Sequence, residues 1–205
     1  MKKSLLALLF AVALAVPAMA ENMWVGGSLG YENNSGGDYD ANSFTIAPEF
    51  GYSLSDKWDI GLDLSYTSGK NDVDVYWGIS DVYESYERST YGIAPFARYH
   101  IGKVAGVDVM LKGSLFYNST TIKDFDPADG DATVNSYGIA IAPVISYSIN
   151  EKWSIGATLD FLSLGYSHSS SSDLKNDSGD DYSRDEFGFN LNDGSLISIG
   201  FSYHF

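Results

Sequence analysis

The chain has 205 residues, no cysteine, and 27 acidic against 12 basic residues, which gives a formal net charge of −15. The excess of acid excludes the basic footprint of a nucleic-acid-binding protein, and the lack of cysteine excludes disulfides and thiolate metal sites. The length fits one all-β domain. Fifteen tyrosines and 21 glycines, with aromatic residues at 15%, are typical of many twisted strands rather than of helices.

The first predicted element is a secretory signal peptide over residues 1–20. Lys2 and Lys3 precede an apolar run from Leu5 to Val16, and Ala18-Met19-Ala20 supplies a small-x-small cleavage pattern. The run is short for a membrane anchor. We therefore expect a mature chain that forms one barrel domain over residues 21–205. Its 10 basic and 27 acidic residues give a net charge of −17.

One pattern then occurs three times. The copies span Phe44–Tyr66, Tyr91–Tyr117 and Tyr137–Leu162. Each begins with an aromatic residue and Ile-Ala-Pro or Ile-Ala-Ile-Ala-Pro, and continues through a Tyr and a tight polar turn into a second alternating strand. The Ala-Pro pairs are 47 and 48 residues apart. Each copy predicts a hairpin of two strands of about ten to twelve residues, the length that a tilted strand needs to cross a bilayer. Local bulges are expected at the prolines Pro48, Pro95 and Pro143, because proline donates no ladder hydrogen bond.

Two further strands, at Met23–Glu32 and Ser195–Phe205, bring the number to eight. The turns within hairpins are short: Ser55–Lys57, Gly102–Gly106 and Asn150–Lys152. The connections between copies are long and polar: Asn33–Ala41, Lys70–Glu87, Lys123–Ala132 and Ser167–Asp193. This asymmetry is typical of outer-membrane barrels, in which the first and last strands pair and leave no open edge. The predicted fold is an all-β, eight-stranded, antiparallel, up-and-down transmembrane β-barrel.

The side-chain alternation indicates which face of the barrel meets lipid. The apolar face carries aromatic residues at its ends, as where Trp58 and Tyr66 flank Ile60–Leu64, and the charges lie on the other face. A soluble ligand-binding barrel would have an apolar lumen and a polar exterior. The pattern therefore favours a barrel whose outside is in a membrane.

Inward-facing charges predict a lumen that is plugged by side chains rather than open. The predicted charge network consists of Glu49, Asp63, Arg98, Lys112 and Asp160. Reflecting each hairpin about its turn sets Glu49 opposite Asp63, and Arg98 opposite Lys112 or its neighbour. We expect Asp63 and Arg98 at matching heights on adjacent strands, and Asp160, opposite Ala142, within reach of Lys112. An eight-stranded interior is only wide enough for side chains to fill. The alternative is that these charges lie in water near the barrel ends, which would make the protein a narrow, porin-like channel.

The last eleven residues, SLISIGFSYHF, alternate strictly between apolar and small or polar side chains. Ser198, Gly200, Tyr203 and Phe205 fall at the spacing polar, glycine, aromatic, terminal aromatic. This ending resembles the C-terminal assembly signal of bacterial outer-membrane proteins. The mature chain as a whole resembles small eight-stranded barrels of the OmpX and OmpA-transmembrane-domain type.

That resemblance implies a protein of the outer membrane of a Gram-negative bacterium. Its partners would be periplasmic chaperones and the barrel assembly machinery during biogenesis, then outer-membrane lipids and lipopolysaccharide. A monomer without a cofactor or metal is expected. No nucleic acid is involved, and the surface ligand is left open.

An enzymatic alternative depends on a His and a Ser two residues apart. His168 and Ser170 resemble in spacing the pair that outer-membrane lipid A deacylases use. Here they begin what the sequence predicts to be a serine-rich loop, whereas the family's pair is on a strand. A nucleophilic pair also needs a third group that orients the base. The sequence therefore predicts no enzymatic activity, and lipid A modification stays a second alternative after the narrow pore.

The four long connections hold 18 of the 27 acidic residues. The segment Asp124–Asp131 superficially resembles a calcium loop but lacks the residue order of an EF-hand. The acids indicate either a solvated surface or a binding surface. In the second case they would be bridged to lipopolysaccharide by divalent cations, or would bind a basic ligand directly. The predicted role is therefore structural or one of interaction at the cell surface.

Overall fold

A computed structural model of the protein describes residues 22–36, 39–76, 81–126, 130–175, 181–189 and 198–205. The predicted signal peptide lies outside these ranges. Within them the strands are β1 (Met23–Gly36), β2 (Tyr39–Ser55), β3 (Trp58–Tyr76), β4 (Asp81–Val104), β5 (Val107–Asp126), β6 (Gly130–Ser148), β7 (Trp153–Thr158), β8 (Leu164–Lys175), β9 (Asp181–Phe189) and β10 (Ser198–His204). A single 3₁₀ turn over Asp160–Leu162 separates β7 from β8. The described part of the chain contains no helix that is long and apolar enough to cross a membrane.

These strands occupy eight positions in a closed antiparallel wall. Strands β1 to β6 each pair with the next along the chain. Strand β6 pairs with β7 and also with β8, so these two share the seventh position. Strand β9 pairs with β8, and β10 pairs with β7 and with β1. The β1–β10 ladder, with Trp24 opposite His204, closes the barrel. The predicted fold is confirmed.

The predicted faces are also confirmed. The exposed large apolar side chains include Trp58 and Ile60 of the predicted apolar face. Others alternate in the same way along the remaining strands: Phe44, Tyr52, Leu54, Leu111, Leu115, Tyr117, Tyr137, Ile139, Ile141 and Tyr147. In β10, Ile199 and Phe201 are exposed while the intervening residues are less so. Because strand side chains alternate between faces, the residues between them line the lumen.

The predicted long loops are wrong in their extent. Strand β3 continues to Tyr76 and β4 begins at Asp81, so most of the predicted connection Lys70–Glu87 is strand. Likewise β8 and β9 fill much of Ser167–Asp193. The connections Asn33–Ala41 and Lys123–Ala132 are also mostly strand, since β1 and β2, and β5 and β6, reach into them. The barrel wall therefore extends well beyond the part that the hydrophobic alternation marks.

Bulges are predicted at three prolines, and the structure has an irregularity beside only one of them. Pro48 is opposite Gly27 and Pro95 is opposite Leu62 without a register shift, so the bulges predicted there are wrong. At Pro143 the neighbouring wall position is irregular: between the rungs at Ile141 and Val144, residues 159–163 bulge into the 3₁₀ turn. Pro143 has no N–H to donate to the ladder. Its carbonyl nevertheless accepts a hydrogen bond from the Leu159 amide at 2.9 Å.

Two aromatic rings fill the part of the lumen where two glycines leave room. Trp24 and Phe96 are almost fully buried, and their ring centroids are 6.2 Å apart. A Cβ on Gly51 would lie 2.1 Å from the Trp24 ring, and a Cβ on Gly61 would lie 2.3 Å from Phe96. These glycines are therefore required by close approach, and they position the rings directly beside the inward-facing charges.

Candidate functional site: a charge cluster inside the barrel

Four charged side chains meet in the lumen and are called here the lumen charge cluster: Glu49 from β2, Asp63 from β3, Arg98 from β4 and Lys112 from β5. The Arg98 guanidinium donates from Nη2 to Glu49 Oε1. Lys112 Nζ lies 2.8 Å from Glu49 Oε2 and 2.6 Å from Asp63 Oδ2. The cluster thus contains two carboxylates and two cations joined in one chain of contacts, with no net charge.

The cluster is largely removed from solvent. The exposed fractions of the side chains are 17% for Glu49, 25% for Asp63, 12% for Arg98 and 11% for Lys112. Burying a charge is unfavourable unless it is paired and hydrogen-bonded. The pairing observed here therefore offsets part of the cost of burying these four side chains inside the barrel.

The aromatic rings next to the cluster contact both of its cations. The Arg98 Cζ atom is 4.7 Å from the Trp24 ring centroid and 4.9 Å from that of Phe96. Lys112 Nζ is 4.2 Å from the Phe96 centroid. Cations over aromatic faces are attracted by the ring quadrupole, more strongly when desolvated. The sequence reasoning missed Trp24 and Phe96, although both occupy inward positions of the alternation.

The registers agree with the predicted ones, but one partnership does not. Glu49 is opposite Asp63, and Arg98 is opposite Lys112. Asp63, however, is opposite Ala94, and Arg98 is opposite Asp59. Asp63 and Arg98 are therefore not directly opposite each other on their adjacent strands. Arg98 instead reaches Glu49, two strands away across the lumen.

The structure places Asp160 in the 3₁₀ turn and not in a regular rung opposite Ala142. Its carboxylate is buried, and Oδ2 accepts a hydrogen bond from Ser198 Oγ at 2.6 Å. The contact joins the turn to the first residue of β10. The described ion pairs of Lys112 are with Glu49 and Asp63.

Polar pairs continue on both sides of the cluster. On the side away from the short turns, hydroxyls pair across strands: Thr45 with Thr67 at 2.8 Å and Thr90 with Thr120 at 2.9 Å. On the side of the short turns, buried Asp59 lies 2.9 Å from His100 Nε2. These two residues line a cavity of about 360 Å³ at that end of the barrel. The sequence did not predict the pairing of these two residues.

The His and Ser considered for catalysis are on a strand and not in a loop, which corrects the prediction. On the outer face of β8, His168 Nδ1 is 3.0 Å from Asp185 Oδ1, and Tyr166 donates to the same oxygen at 2.6 Å. His168 also lies against the Tyr137 ring. Among the described residues, no hydrogen bond joins His168 to Ser170. The arrangement is a cross-strand link between β8 and β9, since His168 is directly opposite Asp185.

The structure describes only part of the acidic segment Asp124–Asp131 considered as a cation site. The side chains of Asp124, Asp126 and Asp129 lie outside those described, and Asp131 is in β6. Across the described side chains, no group of three or more His, Asp or Glu is arranged to hold a metal ion.

The residues of the assembly signal fall on the closing strand: Ser198, Gly200 and Tyr203 are in β10, and Phe205 directly follows it. The Phe205 amide donates to the Met23 carbonyl at 3.2 Å.

Comparison with known proteins agrees with this architecture. The model of the family described as "Outer membrane protein beta-barrel domain" matches residues 4–205. The chain belongs to this family. The family locates the protein in the outer membrane. A search of curated protein sequences found no match.

Two solved structures resemble the chain in fold. The outer membrane protein OprG from Pseudomonas aeruginosa is 17% identical, with a TM-score of 0.51 over 91% of this chain and 96% of that one. A major outer membrane protein from Thermus thermophilus is 13% identical, with a TM-score of 0.50 over 90% and 98% of the two chains. At these identities the similarity concerns the fold alone.

Proposed function

We propose that this outer-membrane barrel has a lumen plugged by the lumen charge cluster and serves a structural or cell-surface interaction role. The observation that carries the proposal is Lys112 Nζ, held at 2.8 Å from Glu49 and 2.6 Å from Asp63 while Arg98 pairs with Glu49. These ion pairs join strands that are not neighbours in the wall, namely β4 with β2 and β5 with β2 and β3, so they cross the lumen rather than follow its wall.

Steric and electrostatic arguments support a plug. The interior of an eight-stranded barrel is about filled by its own side chains. The rings of Trp24 and Phe96 occupy space beside the cluster. A permeating ion would have to separate buried ion pairs in a medium of low dielectric constant, where their attraction is much stronger than in water.

Planar-bilayer recording tests the plug. We expect the purified mature barrel to be almost silent, because the lumen charge cluster and the rings beside it would block the passage of ions. The variant Arg98→Ala removes one cation and its bulk, and we expect it to show ion-conducting steps. Arg184→Ala is a matched control, since this arginine is 63% exposed and pairs with Glu186 on β9.

The opposite result would establish a narrow pore. Steady, ion-selective conductance from the unmodified protein that is unchanged in Arg98→Ala would mean that the cluster does not block the lumen. The barrel would then have to be assigned to the porin-like alternative.

The acidic residues outside the membrane support a surface role. Clustered carboxylates are suited to divalent cations, which would bridge them to the anionic head groups of lipopolysaccharide, the expected lipid partner. A ligand with a basic surface is the other partner of matching charge. Catalysis is not part of the proposal, because Ser170 has no described hydrogen bond to His168 that would activate it as a nucleophile.

Calcium binding by these acids has a direct test. If the segment Asp124–Asp131 binds the ion, calcium should raise the thermal unfolding temperature of the mature barrel relative to a chelator. Changing Asp124, Asp126, Asp129 and Asp131 together to Asn should abolish that increase, measured by heat-modifiable electrophoretic migration. The same change at Asp72, Asp74, Asp81 and Glu84 (to Asn or Gln) is a control of equal charge. Equal stability of the unmodified protein in calcium and in chelator would indicate that the acids only solvate the surface.

A further inference from the structure

Two of the short turns share an acid-Lys-Trp sequence pattern and a similar aromatic pairing at their ends. Asp56-Lys57-Trp58 joins β2 to β3, and Glu151-Lys152-Trp153 joins β6 to β7. In each case a tyrosine lies directly opposite the tryptophan on the neighbouring strand: Tyr99 opposite Trp58, and Tyr203 opposite Trp153. We refer to Lys57 with Trp58 and Tyr99, and to Lys152 with Trp153 and Tyr203, as the two Lys-Trp-Tyr groups.

The aromatic pairs have the same spacing in both groups. The ring centroids of Trp58 and Tyr99 are 5.0 Å apart, as are those of Trp153 and Tyr203. Trp58 and Trp153 are 46% and 47% exposed on the outer face of the barrel. In the second group Lys152 Nζ lies 3.3 Å from the Tyr203 hydroxyl and 5.7 Å from its ring centroid. The second group therefore presents an ammonium at the edge of an outward-facing aromatic pair, and in the first group Lys57 directly precedes the equivalent pair in the chain.

The lysines of these groups differ from the third lysine at the same end of the barrel. Lys103 lies 3.3 Å from the Asp108 carboxylate. Within the described part of the chain, Lys57 and Lys152 have no carboxylate within ion-pair distance, although Asp56 and Glu151 precede them in the turns. Their ammonium groups are thus available to an external anion.

The position of the groups identifies the anion. The short turns of an outer-membrane barrel face the periplasm, and tryptophan and tyrosine concentrate at the level of lipid head groups. A lysine beside such a pair extends its ammonium toward the interface while its aliphatic stem stays against apolar surface. We propose that each Lys-Trp-Tyr group binds the phosphodiester of one anionic phospholipid in the periplasmic leaflet. The lysine contacts the phosphate, and the aromatic pair packs against the glycerol and upper acyl chains.

Native mass spectrometry of the mature barrel tests the proposal. The protein is released from nanodiscs that contain equal amounts of phosphatidylglycerol and phosphatidylethanolamine. We expect the unmodified barrel to retain up to two phosphatidylglycerol molecules and to prefer them over phosphatidylethanolamine. Lys57→Gln and Lys152→Gln should each lose one bound lipid, and the double variant should lose both.

Matched variants separate the site from charge and folding effects. Lys103→Gln changes the net charge by the same amount but affects a lysine that is already paired, so we expect it to retain both lipids. Lys57→Arg with Lys152→Arg keeps the cations and should retain them too. Heat-modifiable migration verifies that every variant is folded. Retention of two phosphatidylglycerol molecules by the folded Gln double variant, or equal retention of both lipids by the unmodified barrel, would overturn the proposal.

Discussion

Arg98→Ala is expected to lower the free energy of unfolding of the barrel by about 3 kcal/mol. The substitution leaves Glu49 and Asp63 with Lys112 as the one cation of the lumen charge cluster, so a buried negative charge is left uncompensated. It also removes the guanidinium that lies 4.7 Å from the Trp24 ring centroid. Urea-dependent unfolding of the mature barrel in detergent micelles or lipid vesicles, followed by tryptophan fluorescence, measures the loss.

The control for this experiment is an exposed ion pair. Arg184 pairs with Glu186, and its side chain is 63% exposed. Surface pairs of this kind contribute about 0–1 kcal/mol, so Arg184→Ala should leave the barrel nearly as stable as before. Equal losses in the two variants would mean that burial of the lumen charge cluster has no energetic consequence.

Charge balance, rather than lost volume, is the expected cause, and a double variant separates the two. Arg98→Met retains much of the side-chain volume but still strands the carboxylates. Adding Glu49→Gln leaves Lys112 and Asp63 as one neutral pair. Because replacing both members of a buried pair costs much less than removing one, the double variant should recover much of the stability. A double variant as unstable as Arg98→Met would indicate that packing dominates.

Much of the barrel follows from the sequence because two simple rules determine it. Strand side chains alternate with a period of two, and a short turn sets the register of its hairpin. These rules place Glu49 opposite Asp63 and Arg98 opposite Lys112, as the structure does. They also identify the lipid-facing side of each hairpin, since most of its large exposed apolar residues lie on the face that meets the bilayer.

The ends of the strands do not follow from the same rules. Beyond the bilayer both faces of a strand meet water, so the hydrophobic alternation disappears while the ladder of backbone hydrogen bonds continues. Strand β4 therefore begins at Asp81 although its apolar pattern starts much later. For this reason the sequence pattern predicts loops around Ser85 and Ser170, where the structure has strands.

Contacts across the lumen are also beyond a pattern-based prediction. Register relates residues on neighbouring strands, whereas Arg98 and Glu49 belong to strands separated by β3. Their meeting depends on the stagger and tilt of the wall and on the space left by Gly51 and Gly61. The position of Asp160 depends in addition on a 3₁₀ turn within the wall, which interrupts the period of two without a sequence signal other than Pro143 on the adjacent strand.

Removal of the terminal aromatic residues is expected to reduce assembly more than any change in the lipid-facing wall. Tyr203 lies opposite Val25 on β1 and Trp153 on β7, and the Phe205 amide donates to Met23 at the seam that closes the barrel. The ring centroids of Tyr203 and Phe205 are 5.2 Å apart. This ending resembles the signal by which the barrel assembly machinery recognises its clients, so the same residues would act both in recognition and in closure.

Deleting Phe205, or changing Tyr203 and Phe205 together to Ala, should lower the amount of folded barrel in the outer membrane several-fold and increase periplasmic degradation. Heat-modifiable migration of membrane fractions measures the folded amount, and pulse-chase labelling measures the rate of insertion. The matched control is Tyr52→Ala with Tyr147→Ala, which removes two exposed outward aromatics from other strands. Because these residues are outside the terminal strand, the control should insert at nearly the normal rate. If the Tyr203 and Phe205 variant also inserts at the normal rate, the terminal residues are needed neither for recognition nor for closure, and the assembly signal must lie elsewhere in the chain.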